Sequence, residues 1–572
     1  MTFIDLPHGN YEPGSGSDPR VEIHFGTRAD TFQRYAGASG FDEVSYEITG
    51  HLEESGSPLA PVYTYTAGDG TQAIFRPMGN ECGGPGYCAY VSQIIFPDGT
   101  SVDFAYDEPT SGSNDTRLRR VSSSRGYVLL LEYGSGAIQS RITKACLLNL
   151  AYHSLPVDYV CPSDAEVSAS YQYSYFQPPS GFNGYAGAGY RLASYTDPLG
   201  KVWSYGYQAS GTNILNAYTR PGESSPWLVN TVFAAQNAQG NAFEIVSHQA
   251  METGETYQYY WNEKPPGDAL HPPAPEYVGG RYIDADGAIV QVNYGFPPMP
   301  GSLNPTRVSG ASAYPSVNYG TVTYQVTPGP ETITDQLGRT VTNDYCDPNA
   351  AVNLPSFEHN RCLVTMKQST TLPDGQQQKF EYQGWQTKNL TKTTSVSRPG
   401  AGDADIIRQA SYSDCLNLVT CAKPISITDA KGGVTNYVYD QTHGGVLKKT
   451  MPADASGVRP ETRYSYSQHY PWLKSSGGGY SQATSPVWLL DTEESCRTSS
   501  TDANGNCAAG ASDKVVTSYQ YEQGSPSKGS NLLLLGKAVT ADGLTLRSCY
   551  SYDAMGRKIS ETAPNANLAI CP

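Results

Sequence analysis

The chain has 572 residues, a formal net charge of −16 and a pI near 5.0. That acidic balance excludes nucleic acid as the main partner, because phosphate binding needs clustered Lys and Arg. No apolar run reaches the roughly 18 residues that a membrane span requires. With 43 Tyr against 14 Phe, 58 Gly and 40 Pro, the composition suits half-buried pleated surfaces joined by turns rather than a helix-rich enzyme.

Met1 to Asp5 lacks the basic start and apolar core of a secretory leader. Residues 1–55 read as a lead-in with few turn-strand units. Pro13 to Pro19 is a flexible stretch, and Val21 to Phe25 is a first strand. From residue 56 to 572 the chain is one continuing pattern. It starts with Gly68-Asp69-Gly70-Thr71 before Ile74-Phe75, and with Phe96-Pro-Asp98-Gly99 before Val102-Asp-Phe104. Arg117-Leu-Arg119-Arg120 reads as a solvated strand edge or turn. The unit returns at Asp197-Pro-Leu-Gly200, Asp284-Ala-Asp286-Gly287, Asp335-Gln-Leu-Gly338, Asp374-Gly375, Asp429-Ala-Lys-Gly432, Asp542-Gly543 and Tyr552-Asp553-Ala-Met-Gly556-Arg557.

Asp closes a side-chain-to-backbone turn, and Gly accepts positive φ without a Cβ clash. The residues that follow alternate apolar with polar, the period of a half-buried strand. Each unit is therefore strand, tight turn, strand. A lone hairpin is marginal in water, so the units must stack to bury their inner faces. Pro/Gly/Ser-rich insertions interrupt the array at Gln177 to Gly189, Lys264 to Pro275, Phe296 to Pro315 and Ser475 to Pro486. Trp488 to Glu494 is the one segment expected to form a turn or two of helix.

Twelve cysteines fall into sequential neighbours: Cys82 with Cys88, Cys146 with Cys161, Cys346 with Cys362, Cys415 with Cys421, Cys496 with Cys507, and Cys549 with Cys571. Within pairs the separation never exceeds 22 residues, and between pairs it is at least 42. An even count in local pairs points to disulfide-closed loops and an extracellular, cell-surface or periplasmic location. No Cys-x-x-Cys occurs, and His8, His24, His51, His153, His248, His271, His359, His443 and His469 show no metal-ligand spacing.

Gly479-Tyr-Ser481-Gln-Ala483 is a near miss to a hydrolase nucleophile elbow, but it falls in a Gly/Ser loop. Asp502-Ala-Asn504-Gly-Asn506 resembles a calcium loop without its bidentate acid, and reads as a disulfide-closed turn. Trp203, Tyr259, Tyr260 and Trp261 suit either the packed face of a sheet or stacking on sugar rings. Asn114 and Asn389 begin glycosylation acceptor triplets. No catalytic, cofactor-binding or metal-binding residue is assigned.

Taken together, these units resemble the YD repeat of the RHS proteins, roughly Tyr-Asp-x-x-Gly-Arg followed by an alternating strand. Tyr552 to Arg557 matches in full, Asp335 to Arg339 from the Asp onward, and the units at Asp197 and Asp429 in part. The resemblance implies an all-β fold in which tandem hairpins form a spiralling ribbon, either an RHS-like shell or an open solenoid. It also implies a non-enzymatic structural or binding role outside the cell, as a shell, surface fibre or adhesin. A surface glycan or protein is then the partner, or further copies in a shell or fibre. The alternative is the shell portion of a polymorphic toxin or toxin complex. Self-cleavage is not implied: the family's Asp-Pro-x-Gly-Leu motif is represented only by Asp197-Pro198-Leu199-Gly200-Lys201, inside an ordinary repeat. A third class, a polysaccharide-acting enzyme, would need convergent carboxylates that sequence does not reveal.

Overall fold

The computed structural model describes residues 50–261 and 367–572, apart from segments 58–59, 78–87, 108–115, 177–188, 208–213, 237–241 and 384–388 and positions 399, 401 and 567; outside these it describes only the strands within 3–43 and 279–344, with 285–287 and 339. The units at Cys82, Cys346 and Cys362, the turn Asp335 to Gly338, Asn114, and most of the first three insertions lie outside the described residues.

The fold is all-β. Antiparallel pairing, from His51 onward always with the next strand of the ribbon, joins 38 described strands into one sheet; the strands within 3–43 attach to it through Phe3–Asp5 on Cys88–Ile95, and a separate hairpin holds Trp472–Lys474 and Tyr480–Gln482. No helix among the described residues is long and apolar enough to cross a membrane. One rim of the ribbon, the turn rim, carries the turns at 67–71, 96–100, 123–126, 197–200, 372–375, 429–432 and 541–543. The opposite rim, the loop rim, carries longer excursions at 413–423, 440–445, 470–486 and 522–533, and the turn at 553–556.

The turns form through their own side chains. Asp197 Oδ1 accepts the N–H groups of Leu199 and Lys201, Asp429 Oδ1 those of Lys431 and Gly433, and Asp553 Oδ1 those of Met555 and Arg557. Gly200, Gly287, Gly432 and Gly556 close them with φ between 75° and 81°, conformations that cost a side-chain-bearing residue energy.

The abundance of tyrosine has a specific cause. Just before each loop-rim excursion, one strand pair slips by a residue. Tyr439 opposes Val446, Tyr466 opposes Leu490, and Tyr521 opposes Leu534 across such bulges. The next tyrosine along the ribbon reaches back to the carbonyl at that bulge. Tyr466 donates to Val446, Tyr521 to Leu490 and Tyr552 to Leu534, at 2.7–3.2 Å. The same ladder runs through Tyr106 to Val91, Tyr133 to Leu118, Tyr173 to Ile142 and Tyr207 to Leu192, and again through Tyr412 to Leu390 and Tyr439 to Pro424. A bulge interrupts the ladder of backbone bonds, and the phenol satisfies what it leaves. Phenylalanine cannot, which explains why Tyr dominates. Burial pushes Tyr106, Tyr439 and Tyr521 up to about 12, so they remain donors well above neutral pH. Tyr521→Phe is expected to lower the unfolding free energy by about 1–2 kcal/mol in a urea titration; an unchanged midpoint would mean that the hydroxyl contributes nothing.

Two cores lie beneath the ribbon among the described residues. In the first, Ile23 and Phe32 from the lead-in pack on Leu52, Tyr63, Tyr65, Phe75 and Val91. Described strands of the lead-in thus contribute to this core, and the first of them is Phe3–Asp5, ahead of Arg20–Phe25. Phe3–Asp5 pairs with both Arg20–Phe25 and Cys88–Ile95. In the second core, the loop 150–166, closed by Cys146–Cys161, lies over Val128, Leu130 and Leu148.

Three sequence expectations are corrected. Val487–Cys496 is a ten-residue strand paired on both sides, not a helix, because its apolar residues fit cross-strand neighbours. Arg117–Ser123 is an interior strand, not a solvated edge. Asp107 holds Arg117 at 2.7–2.8 Å and Arg119 at 3.0 Å, while the rings of Tyr133 and Tyr159 cover the guanidinium faces. A two-oxygen partner and aromatic faces take the place of water there. Ser481, finally, lies in the short strand Tyr480–Gln482 rather than a loop.

Candidate functional site: the seam between successive coils

Local hairpins explain the ribbon but not its closure. Closure comes where the turn rim of the first coil, residues 60–166, meets the loop rim of the second, residues 413–556. Arg125 donates from Nη2 to the Leu532 carbonyl at 2.7 Å, and Asn531 Nδ2 returns a bond to the Arg125 carbonyl at 2.6 Å. Asn149 Nδ2 donates to the Ala554 carbonyl at 2.7 Å. Trp488 N–H reaches the Asp98 carbonyl at 2.8 Å, and Lys474 N–H the Leu150 carbonyl at 2.7 Å. Lys474 Nζ adds the Tyr152 carbonyl, and Leu473 enters the second core. The side-chain bonds connect residues 322 to 407 positions apart.

Backbone approaches backbone closely here. A Cβ built on Gly70 would lie 2.7 Å from Val419 Cα, and one on Gly99 2.4 Å from the Pro486 oxygen. Farther along the turn rim, the same construction at Gly200, Gly254, Gly375, Gly432 and Gly543 meets nothing within 4 Å. On the turn rim, the glycines of positive φ whose added Cβ would meet the other coil include Gly70, Gly99 and Gly126, and Gly556 on the loop rim answers them, its Cβ position falling on the Tyr127 hydroxyl. The loop that answers Arg125 is buried: Ser530, Asn531 and Leu532 are at most 2% exposed, and Leu532 takes φ 60°.

The excursions that form the loop rim are shaped by disulfides and caps. Cys415 pairs with Cys421 across the single helical turn Leu418–Cys421, whose N-cap Asn417 accepts from Val419 N–H. This turn presents Val419 to Gly70. Asn389, whose triplet suggested glycosylation, is 8% exposed and donates Nδ2 to the Cys421 carbonyl, so its amide is engaged inward. Beyond the seam, Cys496 pairs with Cys507 and Cys549 with Cys571.

Electrostatics at the seam centre on His443. Its ring lies between Trp488, at 4.8 Å, and Tyr466, at 4.7 Å, and its side chain is 4% exposed. Burial holds His443 below its ordinary value; Asp440 and Asp98 pull it upward while Lys423 pushes it further down. Burial likewise lowers Lys423, opposed by Asp69. Burial works against ionised Asp440, yet the N–H groups of His443 and Thr442 prevail and keep its carboxyl low.

Other chemistry-bearing clusters take structural parts. Ser467, His469 and Asp491 meet, but Ser467 Oγ (2.9 Å) and Asp491 Oδ1 (3.2 Å) both contact His469 Nε2. A nucleophilic triad needs the serine and the carboxylate on opposite ring nitrogens. Among the described residues one cluster, Cys496, Cys507 and Asp513, has metal-ligand spacing. Its sulfurs are bonded to each other, and Asp513 accepts from Thr498 and Ser499. Asp502 Oδ1 accepts from the N–H groups of Asn504 and Asn506, a turn rather than a vacant calcium loop. Trp203 stacks on Tyr218 at 5.6 Å with 15° between planes, and Tyr218 also meets Tyr205 and Trp227. The rings bind one another across the strands.

No protein-family model and no curated protein matches the sequence. Solved structures do. The Photorhabdus luminescens Tc holotoxin pore is 10% identical with a TM-score of 0.33, over 96% of this chain and 26% of that one. The TcdB2-TccC3 complex is 9% identical with a TM-score of 0.31, over 96% and 28%. TcdB2-TccC3-Cdc42 is 9% identical with a TM-score of 0.29, over 97% and 27%. The chain thus spans about a quarter of the length of these chains, and such scores carry no argument about activity. Its resemblance to the RHS repeat rests on its own turns and tyrosines.

Proposed function

We propose that this chain is a section of the wall of a spiral shell, a non-enzymatic structural protein that works outside the cell. The observation that carries the reading is the rim-on-rim seam. A ribbon whose second coil lands on its first encloses space, whereas a fibre or adhesin stalk would extend without returning. Four disulfides among the described cysteines support an oxidising location. Enclosure of a cargo, such as the effector of a toxin complex, is the finer reading that a shell wall permits. The aromatic rings stacked on one another give no support to glycan binding.

Small-angle scattering tests the wall. A solid domain of this length has a radius of gyration of about 25 Å, and the spiral is expected to exceed it clearly, with class averages in electron microscopy showing a hollow or C-shaped outline. A filled particle at the compact value would end the proposal.

A further inference from the structure

The seam contains a group whose protonation state matters to its geometry. His443 Nδ1 accepts the N–H of Gly445 at 3.1 Å, so this nitrogen is unprotonated in the closed arrangement. Nε2 lies 3.5 Å from Asp440 Oδ1, too long for a good hydrogen bond. Trp488 and Tyr466 cover the ring. A second proton would set two N–H groups against each other at Nδ1, and would place a charge on a side chain that burial leaves with little water. The consequence reaches beyond the loop. Trp488 holds the first-coil turn through Asp98, while the adjoining Gly444 carbonyl accepts from Lys423 Nζ at 2.6 Å and a Cβ on Gly444 would meet Val419, which itself packs on Gly70.

We propose that His443 is an acid-sensitive latch on the seam, whose protonation frees the first-coil turns at 67–71 and 96–100 from the second coil. The charged and titratable groups that face it are Asp440 from its own loop, Lys423 from the preceding loop, Asp98 from the first coil and Tyr466 from the adjoining strand. Asp69 acts through Lys423. The direction follows from linkage. Closed, the ring is held below its ordinary value; opened to water, it returns toward about 6.5. The open form therefore binds the proton more readily, so closure is fully favoured above that value and weakens as pH falls through it. The latch stands on the seam itself, whether or not the shell holds cargo.

Hydrogen–deuterium exchange of the full chain tests it at pH about 7.5 and about 5, the range in which histidine titrates, with rates corrected for the intrinsic pH dependence. Peptides covering 96–100 and 486–490 are expected to exchange several-fold faster at the acid value, with the interior strand Tyr127–Tyr133 unchanged. His443→Gln keeps an acceptor for Gly445 N–H but does not titrate, and should abolish the difference. Equal protection of the seam at both pH values overturns the proposal. So does equal acceleration in both proteins, which would assign the response to carboxylates, or uniform acceleration along the ribbon. Should the glutamine chain not fold, slow exchange of the histidine C2 hydrogen in the wild type, read by mass spectrometry, gives the midpoint of His443 itself. A midpoint at or above the ordinary histidine value overturns the latch, and a lower one supports it.

Discussion

Gly99→Ala is expected to part the two coils, at a cost of about 2–4 kcal/mol. Gly99 takes φ 86°, and its added Cβ would sit 2.4 Å from the Pro486 oxygen. Neither partner can give way easily, because the adjacent Trp488 N–H is bound to the Asp98 carbonyl at 2.8 Å. Gly200→Ala supplies the comparison. Gly200 has φ 75° and nothing within 4 Å of its Cβ position, so that change carries only the backbone penalty, about 1–2 kcal/mol. The difference between the two urea midpoints isolates the seam, and scattering should show the Gly99 variant expanded while the Gly200 variant is not. Equal losses at the two glycines would mean that the contact at Pro486 does not hold the coils.

The contrast between these glycines also shows what the sequence could reveal. Asp197-Pro-Leu-Gly200 and Phe96-Pro-Asp98-Gly99 read alike as turns, because the Asp bond and the positive φ are local matters settled within five residues. The all-β ribbon follows from such units for the same reason. That Gly99 meets Pro486 while Gly200 meets nothing is a fact about residues nearly four hundred positions apart, and leaves no periodic trace. Arg117 to Arg120 misled in the same way. Three arginines within four residues suggest solvent, and only the fold brings Asp107 and the left-handed Tyr159, φ 57°, against them. Val487 to Glu494 carries bulky apolar residues whose period fits either element, and the strands Glu461–His469 and Lys514–Tyr521 on its two sides decide it. The tyrosine ladder, by contrast, does leave a trace in the sequence. Tyrosine recurs at the end of strand after strand, immediately before Asp107, Asp440 and Asp553. Phenylalanine would serve burial as well, so the hydroxyl must have a repeated partner.

The ladder and the seam divide the work of holding the spiral. Tyrosines tie each strand pair to the one before, and act within about thirty residues. The seam ties coil to coil, and its acceptors named above are backbone carbonyls: Leu532 and Ala554 on one side, Asp98, Arg125, Leu150 and Tyr152 on the other. Backbone recognition of this kind depends on the shape of the excursions, so whatever fixes their shape should control closure.

That dependence makes the Cys146–Cys161 bridge the second point of large expected effect. Replacing both cysteines with serine should lower stability by about 3 kcal/mol, the loop-closure value for a separation of 15 residues. The loop it closes carries Leu155 and Tyr159 onto Val128, Leu130 and Leu148, where Ala165, just past the bridge, and Leu473 of the second coil also pack. Lys474 binds the Leu150 and Tyr152 carbonyls in the same loop. Loosening the first-coil loop should therefore release the second coil, and hydrogen exchange should accelerate at 472–474 and 529–532 together with 150–166. The same double serine change at Cys496 and Cys507, whose loop lies on the turn rim of the second coil, is expected to destabilise that loop and leave exchange at 472–474 unchanged. If the two pairs affect the seam equally, the bridges act on the unfolded chain alone, and the shape of loop 150–166 has no part in closing the spiral.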